Sequence, residues 1–498
     1  MNKLRPVLAL CAALSVSACG GVSNVTPTPQ PGNVTGVNPS NSSGITSRIV
    51  GVGDSLTAGV QSDALLGADV NPNPIAGSPF PFVPNTQSKG YYARIWEQAN
   101  PGKSVLNPSV SPLPLIAAPG LGQIIIPTAT GGVTSLQTAC GGNNALAFSY
   151  STAAQTRINP GVSPLDVAIP GQTMHEALYM YQPLGPCNGA SLPSPFNGLN
   201  QVVGSESLYI TPILSSFGRG STQIGAATRL SPTLAIVWLG SNDLLHYLGS
   251  NGGFPPPTVA SFQADAVNII SQLQKAGAKV AIANLLPVED IPYFTPVAEL
   301  PQIFVAKLGP LGVTPAEAEA LAAETQAFLQ SQYGLGTGSY LTLTGANKVF
   351  GAVQAYLTAN PPGSLPLDTA LTAAKIGAGD YVSANVAATG AQLNAAYSQA
   401  IAAAAHQRGA ALVDVASTYN QILANGGVYP IPTNPACCSV QYGGGLFSLD
   451  GVHPSDTGYA IISNVFIETI DQAYGANIPP LTQAQIEAIN ATDLYSPH

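Results

Sequence analysis

Three short stretches of this chain hold residue types at spacings that could do chemistry. The first is Asp54-Ser55-Leu56-Thr57-Ala58-Gly59, entered directly from the β-prone run Ile49-Val50-Gly51-Val52-Gly53. A serine just past a strand and at the start of a helix is exposed at the carboxyl edge of a sheet. Its own backbone N–H then points towards any anion formed there. The second is Gly240-Ser241-Asn242-Asp243, directly after the apolar run Leu234 to Leu239. An asparagine at that edge can donate N–H bonds to an oxyanion; alone, the motif would read as a loop capping the next helix. The third is Asp450-Gly451-Val452-His453-Pro454. A histidine three residues after an aspartate in a Gly/Pro-containing turn can bring its Nδ1 to that carboxylate. The aspartate fixes the tautomer and leaves Nε2 to take a serine proton. Standing alone, this too would read as a surface turn.

Taken together and in this order, the three stretches resemble the SGNH (GDSL) hydrolase family. Asp54-Ser55-Leu56 within Gly53 to Gly59 is similar to its first block, Gly240-x-Asn242-Asp243 to its third and Asp450-x-x-His453 to its fifth. The second block, usually Asn-x-Ala-x-x-Gly, is similar to Asp166-Val167-Ala168-Ile169-Pro170-Gly171, with Asp in place of the leading Asn. The resemblance spans about residues 48 to 470 and leaves the long middle segment unassigned. It implies that Ser55 attacks an ester carbonyl while His453 takes its proton and later returns it to the leaving alcohol. Asp450 would orient the imidazole. The oxyanion would be held by the Ser55 and Gly171 backbone N–H groups and the Asn242 side chain, with no metal or organic cofactor. The implied fold is a three-layer, flavodoxin-like α/β arrangement with a parallel sheet between helices. The implied activity is that of a lipase or esterase on lipid or small acyl esters, through an acyl-enzyme. The same resemblance also covers carbohydrate or polymer deacetylases. A non-catalytic envelope binding protein that kept the fold is a further alternative, against which the intact Ser55, Asn242, Asp450 and His453 argue.

Rival motifs fail on their spacing. Gly51-x-Gly53 lacks the third glycine of a dinucleotide loop, because position 56 is Leu, and no Gly-x-Ser-x-Gly elbow occurs anywhere. His175-Glu176 begins a zincin-like pattern, but Tyr179 stands where a second His is required. Glu289 and Asp290 could suggest a glycosidase pair, yet adjacent acids are more often solvated. His246 follows the Asn-Asp stretch and His406 lies on an Ala-rich helical pattern; both read as structural.

The elements that must position these residues are strands alternating with helices, which argues for βαβ units and a parallel sheet. Besides Ile49 to Gly53 and Leu234 to Leu239, strand candidates are Lys279 to Leu285, Ala411 to Val415 and Leu165 to Ile169. Val259 to Lys275 and Val386 to Gln407 carry helical patterns. Residues Pro292 to Asp380 read as an insertion, in which Thr314-Pro315-Ala316-Glu317 is a capping-box helix start and Gly334 a stop. Ser104 to Thr156 contains no charged residue and reads either as a cover for an apolar site or as loop shell.

Composition bounds the setting. Hydrophobic residues make up 45% of the 498 and charged residues only 8%, against roughly 25% charged in an ordinary soluble domain. Such a chain is not disordered, because disorder goes with few apolar residues and much charge. With 52 Gly and 44 Pro, its connections should be long and irregular. Lys3, Arg5 and the apolar run Val7 to Val16 resemble a secretory signal, too short for a finished transmembrane helix. Val16-Ser17-Ala18-Cys19 resembles a lipobox, cleavage of which would leave Cys19 to carry lipid; the alternative is an ordinary signal with an incidental Cys. No Asp follows Cys19, which favours an outer-membrane anchor. The expected division is a signal over 1–18, an uncharged flexible tether over 19–46 and the hydrolase domain over 47–498. Without the signal, 13 basic residues face 24 acidic ones, a net charge of −11. That leaves no basic footprint for nucleic acid and no polybasic patch for anionic lipid. Of six cysteines, Cys140, Cys187, Cys437 and Cys438 remain for disulfides. The adjacent pair either bridges itself or reaches Cys140 and Cys187 separately.

Overall fold

The computed structural model describes residues 42–69, 84–117, 120–127, 133–137, 157–180, 209–210, 212–217, 221–359 and 364–497. At its centre is a parallel sheet of β1 (Ile49–Gly53), β2 (Leu234–Trp238), β3 (Lys279–Ala283) and β4 (Ala411–Val413), neighbours in that order. Gly53 pairs with Trp238 and Val237 with Ile282, so the carboxyl ends stand nearly level. Every residue of β1 and β2 is buried. That burial on both faces explains why these strands read as unbroken apolar runs rather than alternating ones.

Residues 165–169 form no full strand, but they bond along the free side of β1. Gly51 N–H reaches Leu165 O at 3.0 Å, Val167 N–H reaches Gly51 O at 3.0 Å and Ile169 N–H reaches Gly53 O at 2.9 Å. This segment comes second in the chain yet lies outside β1, so the crossovers leave β1 in opposite directions. That is the flavodoxin-like arrangement, in which ligands bind at the strand carboxyl ends where the order switches.

Helices cover both faces, giving the expected three-layer α/β fold. On one side α2 (Tyr91–Ala99) packs against α6 (Asp456–Tyr474). The Tyr91 ring stacks on Phe466 at 4.6 Å and meets Trp238 of β2 edge-on at 5.6 Å. A second group contains α3 (Ser241–Gly249), α4 (Val259–Lys275) and α5 (Ala384–Arg408), with Phe262 stacked on Tyr397 at 4.1 Å. The short α1 (Ser55–Ala58) follows β1. No helix among the described residues is long and apolar enough to cross a membrane.

Residues 292–380 build a second hydrophobic core around Phe304, Leu329, Leu341 and Val353. Its helices include Leu300–Leu308, Pro315–Tyr333 and Leu343–Thr358, beside a small antiparallel sheet of Phe294–Pro296, Tyr340–Thr342 and Tyr381–Val382. Thr314 and Glu317 close the capping box and Gly334 ends the helix at φ 71°.

Three readings are refined. Ordered structure begins before residue 47: Ser42–Ile45 is a helical turn and Ile45, the apolar residue of that stretch, is buried in the main core. The charge-free 104–156 segment contains a hairpin of Leu121–Pro127 with Val133–Gln137, the Ile124 to Ile126 run supplying β-prone residues. Cys437 and Cys438 are bridged to each other across a cis peptide bond, and Asn490 Nδ2 lies 3.1 Å from both sulfurs. Cys19, Cys140 and Cys187 lie outside the described residues.

Candidate active site

The strand-to-helix turn at Ser55 depends on a missing side chain. A Cβ on Gly53 would lie 2.0 Å from Thr57 Oγ1 and 2.8 Å from Trp238 O. Asp54 then caps α1, its Oδ1 accepting the Leu56 N–H at 3.0 Å. Leu56, Thr57 and Ala58 are buried, which leaves Ser55 the part-exposed residue of the turn. As the first residue of the helix, Ser55 has an N–H without an intrahelical acceptor.

Asn242 enters through Gly240, whose φ of 116° lets the chain swing from β2 into α3. A Cβ there would press on the Phe262 ring at 2.8 Å. Asn242 Nδ2 donates to Gln172 O at 3.1 Å and, more weakly, to Asp54 Oδ2 at 3.3 Å. Next to it, Asp243 accepts the Met174 N–H at 3.0 Å. The two side chains therefore tie the 171–174 loop, which starts at Gly171 with φ 88°, to the end of β2 and to Asp54. Gln223 strengthens this junction, donating to Gly53 O at 2.7 Å and to Gln172 Oε1 at 3.0 Å. Burial pushes the Asp166 carboxyl well above the usual range, against the pull of the Ala168 N–H that its Oδ1 accepts at 3.0 Å.

Asp450 and His453 sit in one tight loop, both buried. Asp450 Oδ1 accepts the Val452 and His453 backbone N–H groups, each at 2.8 Å. Its Oδ2 accepts His453 Nδ1–H and the Asp63 backbone N–H, each at 2.7 Å. Burial would raise Asp450, but His453 and these N–H groups outweigh it and hold the carboxyl below its ordinary value. An ionised Asp450 makes Nδ1 the protonated nitrogen. Burial pulls the imidazole down, while Asp450, Asp63 and Asp54 together leave it raised. His453 Nε2 is buried with no hydrogen-bond partner among the described residues. Asp54, beside Ser55, is pushed up to about 7 by burial against the pull of Leu56 N–H and His453. The structure thus brings together the segments of Ser55, Gly171, Asn242, Asp450 and His453.

The GDSL-like lipase/acylhydrolase family matches residues 49–466. The chain belongs to that family. Its activity is accordingly that of an acyl hydrolase. No curated protein and no solved structure matches the chain.

The remaining polar candidates lie elsewhere in this GDSL hydrolase. His175 pairs with Asp265 at 2.9 Å and faces the Tyr179 ring on the surface; no metal-holding cluster of His, Cys, Asp and Glu occurs among the described residues. His246 is half-buried in α3, where burial pushes its imidazole down to about 4, and His406 is exposed on α5. Glu289 departs from the expected solvated acid. It is half-buried at the foot of the insertion, with Oε2 unpartnered among the described residues. Sequence reasoning missed Gln223 and Asp63. A glutamine on a distant helix and a backbone N–H carry no motif; the signal that existed was Ser62-Asp63, a pair suited to a tight turn.

Proposed function

We propose that this GDSL hydrolase is a carboxylic ester hydrolase, a lipase or esterase using a Ser-His-Asp mechanism, exported and held at the cell envelope by lipid on Cys19. The observation that carries the catalytic reading is the His453 imidazole, anchored at Nδ1 by an ionised carboxylate and, among the described residues, unpaired at Nε2. In this reading Nε2 takes the Ser55 hydroxyl proton as Oγ attacks the ester carbonyl. The tetrahedral oxyanion is met by the Ser55 and Gly171 N–H groups and Asn242. Collapse expels the alcohol, protonated by His453, and water repeats the cycle on the acyl-enzyme. A small apolar recess adjoins the loop that carries His453. Its lining includes Leu286, Tyr419, Phe447, Ile461 and Pro454, the residue after His453.

Ser55→Ala and His453→Ala should each abolish hydrolysis without unfolding the protein, losing on the order of 10⁶ in kcat, whereas Asp450→Ala should lose less, about 10⁴. The substrates are nitrophenyl esters of increasing chain length beside acetylated sugars. Near-native turnover by a folded Ser55→Ala protein would overturn the mechanism. A strong preference for acetylated sugars would favour the deacetylase alternative.

A further inference from the structure

The turn after α1 brings a second carboxylate to the acid–base pair. Ser62 and Asp63 have φ values of 48° and 61°, between Gln61 and Ala64, which bond across the turn in both directions at 3.1 and 3.0 Å. Consecutive left-handed residues of this kind suit Gly, Asn or Asp, and holding other residues there costs energy unless the surroundings over-determine them. Here they do. Ser62 N–H donates to Ser448 Oγ at 2.8 Å and Ser62 Oγ accepts the Leu449 N–H at 3.2 Å. Gln61 Nε2 donates to Asp456 Oδ1 at 2.9 Å, and Asp63 N–H to Asp450 Oδ2 at 2.7 Å. All four partners belong to the one segment that carries Asp450 and His453.

We propose that Asp63 is a positioning residue for the general base: its N–H fixes the Asp450 oxygen that receives His453 Nδ1–H, and its carboxylate stabilises the imidazolium formed when Ser55 gives up its proton. This role rests on the reading of His453 as the base. The charged groups facing His453 are Asp450, Asp63 and Asp54; those facing Asp63 are Asp450 and His453, with the Tyr209 and Tyr293 hydroxyls nearby. Crowding by protein, then Asp450, push the Asp63 carboxyl up to about 6 against the pull of His453, so it is ionised at neutral pH. The residue is open to solvent on one side, and water screens its charge. Its effect should therefore be smaller than that of Asp450.

Asp63→Asn removes the charge while keeping the N–H and a residue that tolerates left-handed backbone. Asp63→Gly does the same without the amide. The His453 ring is titrated by NMR in Ser55→Ala protein with and without each substitution, its signal assigned with His453→Gln. Less negative charge destabilises the imidazolium, so the midpoint should fall to lower pH. In enzymes with Ser55 intact, the acid limb of kcat/KM should move the same way, with plateau kcat within about threefold of wild type. An unmoved midpoint in both folded variants overturns the proposal. A midpoint that falls while the acid limb stays put leaves the charge effect standing and sinks instead the reading of His453 as general base.

Discussion

Asn242 illustrates how much a single side chain is asked to do. Both Nδ2 hydrogens are engaged, one by Gln172 O at 3.1 Å and the other by Asp54 Oδ2 at 3.3 Å. In the proposed mechanism the weaker of these contacts is shared as charge develops on the ester oxygen, so the donation is made in the transition state rather than to bound substrate. Removing one such donor typically costs about 10²–10³ in kcat. Asn242→Ala should lower kcat by that order with KM little changed, measured by steady-state ester hydrolysis. A raised KM with kcat intact would make Asn242 a structural tie between Asp54 and the 171–174 loop. At this scale Ser55, Asn242, Asp450 and His453 were legible because each lies in a short motif at a strand end or in one turn. Gln223 and Asp63 were not: Gln223 comes from a helix distant in sequence, and Asp63 reaches Asp450 through its own backbone N–H, which no residue type signals.

At the scale of elements, apolar runs gave the sheet its strands, and helix α4 has the bounds that its pattern suggested. β2, β3 and β4 end one or two residues earlier than the apolar runs do, because the chain turns away at Gly240 and at the Asp414 cap of the next helix while still buried. The 165–169 segment meets β1 through a single bridge, Gly51 with Asp166, rather than a continuous ladder. Two glycines separate turn geometry from site geometry. Gly334 and Gly451 share a φ of 71°. A Cβ on Gly334 would meet nothing within 4 Å, whereas one on Gly451 would lie 2.8 Å from the Tyr293 backbone nitrogen. Each Ala substitution should cost about 1–2 kcal/mol for the left-handed backbone, read as a fall in Tm. Only Gly451→Ala should also lose hydrolysis, because the clash displaces the loop joining Asp450 to His453. Equal activity of the two variants would show that the insertion's contact at Tyr293 does not hold that loop.

For the molecule as a whole, buried acids set the response to pH. Burial is the main cause that pushes Asp54 up to about 7, Asp243 to about 8 and Asp493 to about 6. Between about pH 4 and 8 the folded protein therefore holds protons that the unfolded chain has released, and stability falls as pH rises. His453, raised above 6.5, acts in the same direction: its contribution is full below 6.5 and is lost as pH climbs through the folded value. Asp450 is held below 3.8 and its contribution is lost only as pH falls below that value. Thermal unfolding should give a higher Tm at pH 5 than at pH 8; the reverse order would mean that these acids are ionised and paired in the fold. The proposed anchor is tested on the same scale. Cys19→Ser should release the protein from envelope membranes and abolish fatty-acid labelling, and unchanged fractionation would require another anchor.

The parallel sheet also gives the molecule two unlike ends. The first described residues, from Ser42, lie at the amino edge, where Arg48 bonds to Leu230 O and Thr233. Ser55 lies at the other end of β1, roughly 15 Å away. The C-terminal residues belong to the opposite end, since Asp493 accepts the Thr457 N–H at 2.8 Å in the first turn of α6, just after His453. A bead, fusion partner or surface joined through the amino end would therefore present the reaction mouth outward, towards substrate arriving from solution. The same attachment made through the C-terminus would stand at its doorstep.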